Sequence, residues 1–354
     1  MTGGHDPSSD FLARESGAFP SPGAMLAVDP LSDVLRAVRL TAATFFVIDA
    51  THPYCVDIPH TDHYRAILQR TARHMMSFHV ILEGQGTAVV PGGEPQRYRA
   101  GDIVVFPRGD GYRMGTAADT PPEFDYEETM GFFRHLAAGS LPFVVPEGGG
   151  APPPTRIICG FLGCDAGPFN PLILSLPPQF VVRREGQDTL LDNLIDLTMA
   201  EARRDRAGGA SVRLGLAELM FIEAIRLQIA ATSEVDGWLA GLRDPVVGRA
   251  LTCLHTDPAR SWTLDSLVAE VATSRSTLAE RFNRCIGYGP MQYLTKWRMQ
   301  LAARRLVEGQ DAVVQIAFEM GYNSEAAFSR AFKKIAGRPP AAWRSDQLAS
   351  RPGQ

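Results

Sequence analysis

The arrangement Ser274, Leu278, Phe282 recurs fifty positions later as Ser324, Phe328, Phe332, and no other feature constrains the fold as tightly. Each copy opens with a serine suited to cap a helix. Apolar residues four apart then place one stripe inward. In the first copy the stripe is Leu278, Phe282 and Ile286, and the opposite side shows Arg275, Ser276, Ala279, Glu280 and Asn283. In the second the stripe is Phe328, Phe332 and Ile335, opposite Glu325, Ala326, Ser329, Arg330 and Lys333. A short apolar-faced run precedes each, 263–271 with Thr263 as its cap and then 313–320, joined by tight links at 272–274 and 321–324. Gly321 suits the positive φ such a link needs. The spacing predicts two helix-turn-helix units with second helices over 275–286 and 325–336, anchored on one side and offering small or polar side chains on the other.

Between the units, Pro290 opens a long helix at its permissive first turn. Its inner face is Tyr293, Leu294, Trp297, Leu301 and Leu306, and Gly309 stops it. About 17 residues at 1.5 Å each span roughly 25 Å, enough to hold two such helices about one DNA turn apart. One unit alone is a common pattern in all-α cores. Two units joined by an apolar-faced helix are far more specific.

The charge distribution agrees. The net charge of −4 conceals 15 Lys+Arg against 10 Asp+Glu from Asp244 onward, and 20 against 29 before it. All three lysines, Lys296, Lys333 and Lys334, lie in the basic segment. A basic segment on an acidic body points to an anionic partner, although attraction to phosphate depends on local clustering more than on net charge.

The first half reads differently. Short β-branched or aromatic runs at 45–48, 55–58, 77–82, 87–90 and 103–106 are separated by turn residues, as in an antiparallel barrel or sandwich. A helix is expected over 31–40. The Pro- and Gly-rich stretch 115–155 reads as a long loop with a short helix near 132–138, and 156–159 as one more strand. Helical periods follow at 189–204, with a stripe of Leu190, Leu194, Ile195 and Met199, and at 212–231, traced by Leu216, Leu219, Met220, Glu223 and Leu227. Such helices pack on the barrel or pair between subunits. Residues 238–244 read as the junction to the basic segment. Five cysteines, Cys55, Cys159, Cys164, Cys253 and Cys285, form no CxxC pair and no zinc-finger spacing, and are most simply reduced and buried. No apolar run approaches the roughly 20 residues that span a bilayer. The N-terminus lacks the pattern of a secretion signal, so a cytoplasmic location is expected.

Residues 245–344 resemble the DNA-binding domain of the AraC/XylS regulator family. The stretch Gly321-Tyr-Asn-Ser-Glu-Ala-Ala-Phe-Ser-Arg-Ala-Phe-Lys-Lys-Ile-Ala-Gly337, followed by Arg338-Pro-Pro, meets the family pattern G-Y-x-S-x-x-x-F-x-R-x-F-K-x-x-x-G-x-x-P at every fixed position. The resemblance implies base contacts in adjacent major grooves from Arg275, Ser276, Ala279 and Glu280, then from Glu325, Ala326, Ser329 and Arg330. Arg can meet guanine edges and Glu can accept from cytosine. It leaves Arg281, Arg284, Lys296, Arg298, Lys333, Lys334 and Arg338 for phosphate, which fixes register without reading sequence.

The segments 77–86 and 100–112 resemble the two motifs of the cupin barrel, and with 159–164 and 171–177 they resemble the cupin sensor domain of one AraC/XylS subgroup. Metal-binding cupins use a His-x-His…Glu set and a later His. Here Ser77 and Tyr112 stand at the first and last of these positions, leaving only His79 and Glu83. Two ligands do not make a closed or catalytic site. No metal or cofactor is therefore expected, and Ser77, His79, Glu83 and Tyr112 become candidate contacts for a small effector.

The whole reads as an α+β multidomain chain, with an N-terminal cupin-like antiparallel β-barrel with flanking helices and a C-terminal all-α domain of two helix-turn-helix units joined by a long helix. The expected boundaries are a disordered 1–24, a sensor domain over 25–185, a helical linker or dimerisation region over 186–243, a DNA-binding domain over 244–345 and a flexible tail at 346–354. The expected function is that of a non-enzymatic, sequence-specific transcription regulator, more often an activator in this family. Its partners would be double-stranded operator DNA, an effector, a second copy of the chain and RNA polymerase, with no membrane involved. Two alternatives stand beside it: a metal-dependent cupin enzyme fused to a DNA-binding domain, and a regulator sensing redox through Cys55 or the Cys159/Cys164 pair.

Overall fold

The computed structural model describes residues 29–349 except 39, 71, 165–166, 184–188, 204–205 and 232–236. The stretch 1–24 and residues 350–354 of the expected tail lie outside the described residues. Residues 346–349 end a helix.

Helix α1 (Pro30–Val38) leads into the long strand β1 (Leu40–His52). Then come β2 (Cys55–Ile58), α2 (Arg65–Leu68), β3 (His74–Glu83), β4 (Gln85–Val89), β5 (Gln96–Arg99), β6 (Ile103–Phe106) and β7 (Tyr112–Gly115). Helix α3 (Tyr126–Ala137), β8 (Val144–Gly148), β9 (Ala151–Cys164), α4 (Pro171–Ser175) and β10 (Phe180–Val182) complete the barrel region. Two sheets result, in the orders β10-β6-β3-β9-β1-β8 and β2-β7-β4-β5. Every pairing is antiparallel except that of β8 with β1.

The stretch expected as a loop over 115–155 therefore holds an edge strand, a helix and the start of β9. Pro152, Pro153 and Pro154 sit in β9 beside a register shift between Ala50 and His52 of β1, where missing N–H groups cost little. Helix α3 begins at a capping box in which Asp125 accepts from the Glu128 N–H and Glu128 from that of Asp125, both at 2.9 Å. That reciprocal pair sets its start six residues ahead of the expected one.

The long strands bury both faces, with period two. Phe46, Ile48, Met75, Ile157, Cys159 and Phe161 fill the barrel. Val47, Met76, Phe78, Val80, Ile158 and Leu162 face a layer of helices instead. Gly160 admits the Phe78 ring, which a Cβ there would strike.

The helical layer contains α5 (Thr189–Ala202) and α6 (Gly209–Ala231), packed on each other, with α6 also against β1. Their buried stripes are shifted from those expected. Leu191, Leu194 and Ile195 turn inward while Leu190 is half exposed, and α6 buries Ala217, Met220, Phe221, Ala224 and Ile225 while Leu219 is exposed. Near-uniform apolar composition had hidden which side wins.

The C-terminal region is all helix: α7 (Trp238–Arg243), α8 (Val247–Thr256), α9 (Leu264–Val271), α10 (Arg275–Ile286), α11 (Pro290–Glu308), α12 (Val313–Glu319), α13 (Glu325–Ala336) and α14 (Pro340–Ala349). Helix α7 is no loose junction. Trp238 is buried and donates through its indole N–H to the Tyr293 hydroxyl at 3.0 Å. The core around α7 to α11 is continuous with the helical layer of the barrel, whereas Met299, Leu306, Ile316, Phe328 and Phe332 form a separate core for the second unit.

Candidate functional site

Each helix-turn-helix unit is built by local chemistry. Thr263 and Ser266 cap α9 reciprocally, and Ala272 ends it in the left-handed region at φ 54°. The Ser274 hydroxyl accepts from the Thr277 N–H at 3.1 Å to start α10, and Gly287 at φ 83° closes it. Ser324 does the same for α13 through the Ala327 N–H at 3.3 Å, and Gly337 at φ 74° ends it. In the second link Gly321 has φ 75°, and its missing side chain leaves room for the Ala259 carbonyl.

Leu278, Phe282, Phe328 and Phe332 are fully buried. Ile286 and Ile335, expected to complete the two stripes, are only partly buried, and Cys285 takes the inner place at the end of α10. The outward faces carry Arg275, Ser276, Ala279 and Glu280 on α10 and Glu325, Ala326 and Arg330 on α13, all exposed, with Ser329 half-buried. Arg275 pairs with Asp265. Arg330, Lys333 and Lys334 are exposed and have no ion-pair partner among the described residues.

Several cations expected to meet phosphate are otherwise engaged. Lys296 lies 3.9 Å over the Tyr288 ring and 5.4 Å over Phe169 of the barrel half, so it serves the seam between the two halves. Arg298 donates to the carbonyls of Pro258 at 2.6 Å and Arg260 at 2.8 Å, half-buried beneath Tyr322, and burial lowers its pKa. Both residues thus have internal partners, Arg298 two carbonyls and Lys296 two rings, which a contact to phosphate would have to share or displace. Arg281 and Arg284 share Asp244 at 3.3 and 3.6 Å, and Arg338 pairs with Asp346. Sequence spacing could not show these pairings, because the partners lie on other elements.

In the barrel half, a cavity of about 350 Å³ opens between the two sheets beneath α3. His79 and Tyr112 line it and are brought together: the His79 Nε2 is 2.8 Å from the Tyr112 hydroxyl, and its Nδ1 is 3.2 Å from the Cys159 Sγ. Complete burial pushes the His79 pKa down to about 3, so the ring is neutral. Ser77 is buried near Tyr64 and Tyr112 but does not line the cavity. Glu83 does not join the set. It is exposed where β3 leaves the barrel at a register shift, opposite Arg156. The His79 and Glu83 that survive of the metal-cupin pattern are thus kept apart. Among the described residues no group of three or more His, Cys, Asp or Glu is placed to hold a metal ion.

Sequence reading missed most of this lining. Glu147 and the α3 residues Thr129, Gly131, Phe132 and Phe133 all border the cavity. The capping-box pair Asp125 and Glu128 was the available signal for α3. Nothing in the sequence marked Glu147, whose carboxyl is pushed up to about 8 by burial and by the neighbouring Glu123. The thiol alternative loses its pair: Cys159 faces the barrel and Cys164 the helical layer. Five residues of strand hold them roughly 16 Å apart, far beyond disulfide reach. Burial also raises the pKa of the Cys159 and Cys55 thiols.

Comparison with known proteins decides the family. A family model described as cupin matches residues 29–230, and one described as helix-turn-helix domain matches 267–346. The chain belongs to the AraC-type regulators that carry a cupin domain. A putative AraC-like transcription regulator of Streptomyces lividans is 54% identical over 36% of this chain and 43% of its own length. A second, of Streptomyces antibioticus, is 52% identical over 38% and 44%. The matches thus span less than half of each of these two relatives. The HTH-type transcriptional regulator AlkR of Acinetobacter baylyi is 28% identical over 77% of this chain and 89% of its own length. Among solved structures, ToxT of Vibrio cholerae covers 86% of this chain and 97% of its own at 11% identity and a TM-score of 0.33. In the AraC-type frame α10 and α13 are the second helices of the two helix-turn-helix units, and the cavity lies in the cupin domain.

Proposed function

We propose that this chain is a homodimeric transcription regulator that binds operator DNA through α10 and α13 and responds to a small molecule taken up in the cupin cavity. One observation carries the reading. Two capped helices bury Leu278/Phe282 and Phe328/Phe332 and turn Ser276/Glu280 and Glu325/Arg330 to solvent. Base edges are met by Arg275, Ser276, Ala279, Glu280, Glu325, Ala326, Ser329 and Arg330, and phosphates chiefly by Lys333 and Lys334. The DNA-binding unit spans about 244–345 and the sensor about 25–185.

Exposed Leu190, Leu197, Val212 and Leu219 on α5 and α6 give the dimer contact its apolar face. The regulator works in the cytoplasm as an activator and contacts RNA polymerase, without chemistry of its own. No described helix is long and apolar enough to cross a membrane. Effector binding shifts transcription to the extent that it favours one arrangement of the two halves over the other.

Mapping the DNA bound by this chain across a genome, followed by mobility shifts on the recovered sites, tests the reading. Discrete sites lost on Arg330→Ala and Glu280→Ala substitution support it. Uniform binding to all DNA, or turnover of a substrate by the isolated chain, would sink it.

A further inference from the structure

The cavity has a chemical bias that the fold alone does not require. Its apolar walls combine aliphatic side chains with the rings of Phe46, Tyr54, Phe124, Phe132, Phe161 and Tyr112. Its polar groups are lopsided in charge. Glu147 reaches it from the edge strand β8, and Glu128 stands at its rim on α3. No lysine or arginine lines it among the described residues. His79 is occupied on both ring nitrogens, and the one further imidazole of the lining, His135, stands exposed at the rim on α3 with its Nδ1 3.0 Å from the Ser140 hydroxyl.

The Glu147 carboxylate has no ion-pair or hydrogen-bond partner among the described residues. The nearest charge felt there is a second carboxylate, Glu123, held at the Gly148 N–H at 3.0 Å. A half-buried carboxyl without a partner is costly when ionised, and partial burial together with Glu123 raises its pKa.

We infer that the cavity selects an apolar, ring-bearing amine or ammonium ion, paired with Glu147 and enclosed by aromatic faces, and discriminates against carboxylates. A cation supplies the missing counter-charge, and the ring quadrupoles add attraction at a desolvated site. An anion would enter a space lined by no lysine or arginine among the described residues, with two acidic side chains, Glu147 and Glu128, at its border. A neutral molecule gains the apolar contact but leaves Glu147 unmatched. This selectivity rests on the cavity being the effector site proposed above.

The test uses full-length protein and three ligands on one carbon skeleton: naphthylmethylamine, naphthylmethanol and naphthoate, titrated calorimetrically near neutral pH. The amine is expected to bind at least about tenfold more tightly than the alcohol, a factor worth about 1.4 kcal/mol, with the carboxylate weakest. Glu147→Gln should abolish the preference for amine over alcohol while alcohol binding persists. Gly131→Leu, placed where a Cβ meets nothing within 4 Å, should fill the space beneath α3 and weaken all three ligands. Carboxylate binding equal to that of the amine, or an unchanged preference in Glu147→Gln, overturns the charge selectivity alone. Absence of binding by all three ligands, or indifference to Gly131→Leu, overturns the effector cavity itself.

Discussion

His255 of α8 lies against Asp33 of α1, Nδ1 to Oδ2 at 3.4 Å, so the first described helix of the chain touches the core of the first DNA-binding unit. The other ring nitrogen of His255 is 2.8 Å from the Tyr293 hydroxyl, and the ring lies 4.3 Å from that of Trp297. With Lys296 over Phe169, and the Phe169 N–H donating to the Gln300 side-chain amide oxygen Oε1 at 3.0 Å, this makes a packed polar seam between the two halves. The contacts join α1 and the segment before α4 to α8 and α11.

The seam should respond to acid. Burial lowers the His255 pKa from 6.5, and the nearby carboxylates Asp33 and Asp29 partly oppose that. A group whose folded pKa is depressed resists protonation more in the folded than in the unfolded chain. Stability is therefore lost as pH falls below about 6.5. Asp33→Asn removes the opposing anion, widens the gap and should make the fall in Tm between neutral and mildly acid pH steeper than in wild type. Parallel Tm profiles would show that Asp33 and His255 are uncoupled.

Cations that face the duplex should separate from those that serve the seam in salt dependence. Lys333→Gln should reduce the slope of log affinity against log salt by about 1, and Lys296→Gln should leave it unchanged while lowering Tm. Arg330→Ala should weaken specific binding by about 1–3 kcal/mol without a matching loss of stability. Filter binding across a salt series, with melting curves alongside, checks all three. A slope change at Lys296 would return it to the phosphate contacts.

The second unit should be intolerant of added and of removed bulk. Gly321→Ala places a methyl against the Ala259 carbonyl in a left-handed backbone, a conformation that by itself costs an L-residue about 1–2 kcal/mol. Phe332→Ala empties a fully buried position and should cost about 3–5 kcal/mol. Chemical denaturation that leaves either variant as stable as wild type would refute the packing described.

Glu147 should impose the opposite pH trend to His255. Its folded pKa of about 8 stands above the ordinary 4.5, so the stability tied to its protonated form is complete below 4.5 and lost as pH rises through 8. Tyr54 and Cys159, its titratable neighbours, are themselves pushed up by burial and stay neutral over that range. The Tm of Glu147→Gln minus that of wild type should grow as pH is raised from 5 to 8. A difference that does not vary with pH would place Glu147 in contact with water or a cation.

What the sequence determined was carried by short-range rules, although one such signal, the Asp125/Glu128 capping box, went unread. Ser274 and Ser324 as caps, Gly337 as a stop, and apolar residues four apart fix α10 and α13, because capping and helical period act within one or two turns. The strands 55–58 and 103–106 followed from the same local logic. Tertiary structure alone decided what depends on partners distant in sequence. It laid Lys296 on two rings and Arg298 on two internal carbonyls, turned Leu191 rather than Leu190 inward, sent Glu83 outside, and carried Glu147 from a stretch that reads as loop to the wall of a cavity. A side chain's period names the face it occupies. Only the packed fold determines what that face meets, since burial and charge pairing are properties of residues brought together from far apart in the chain.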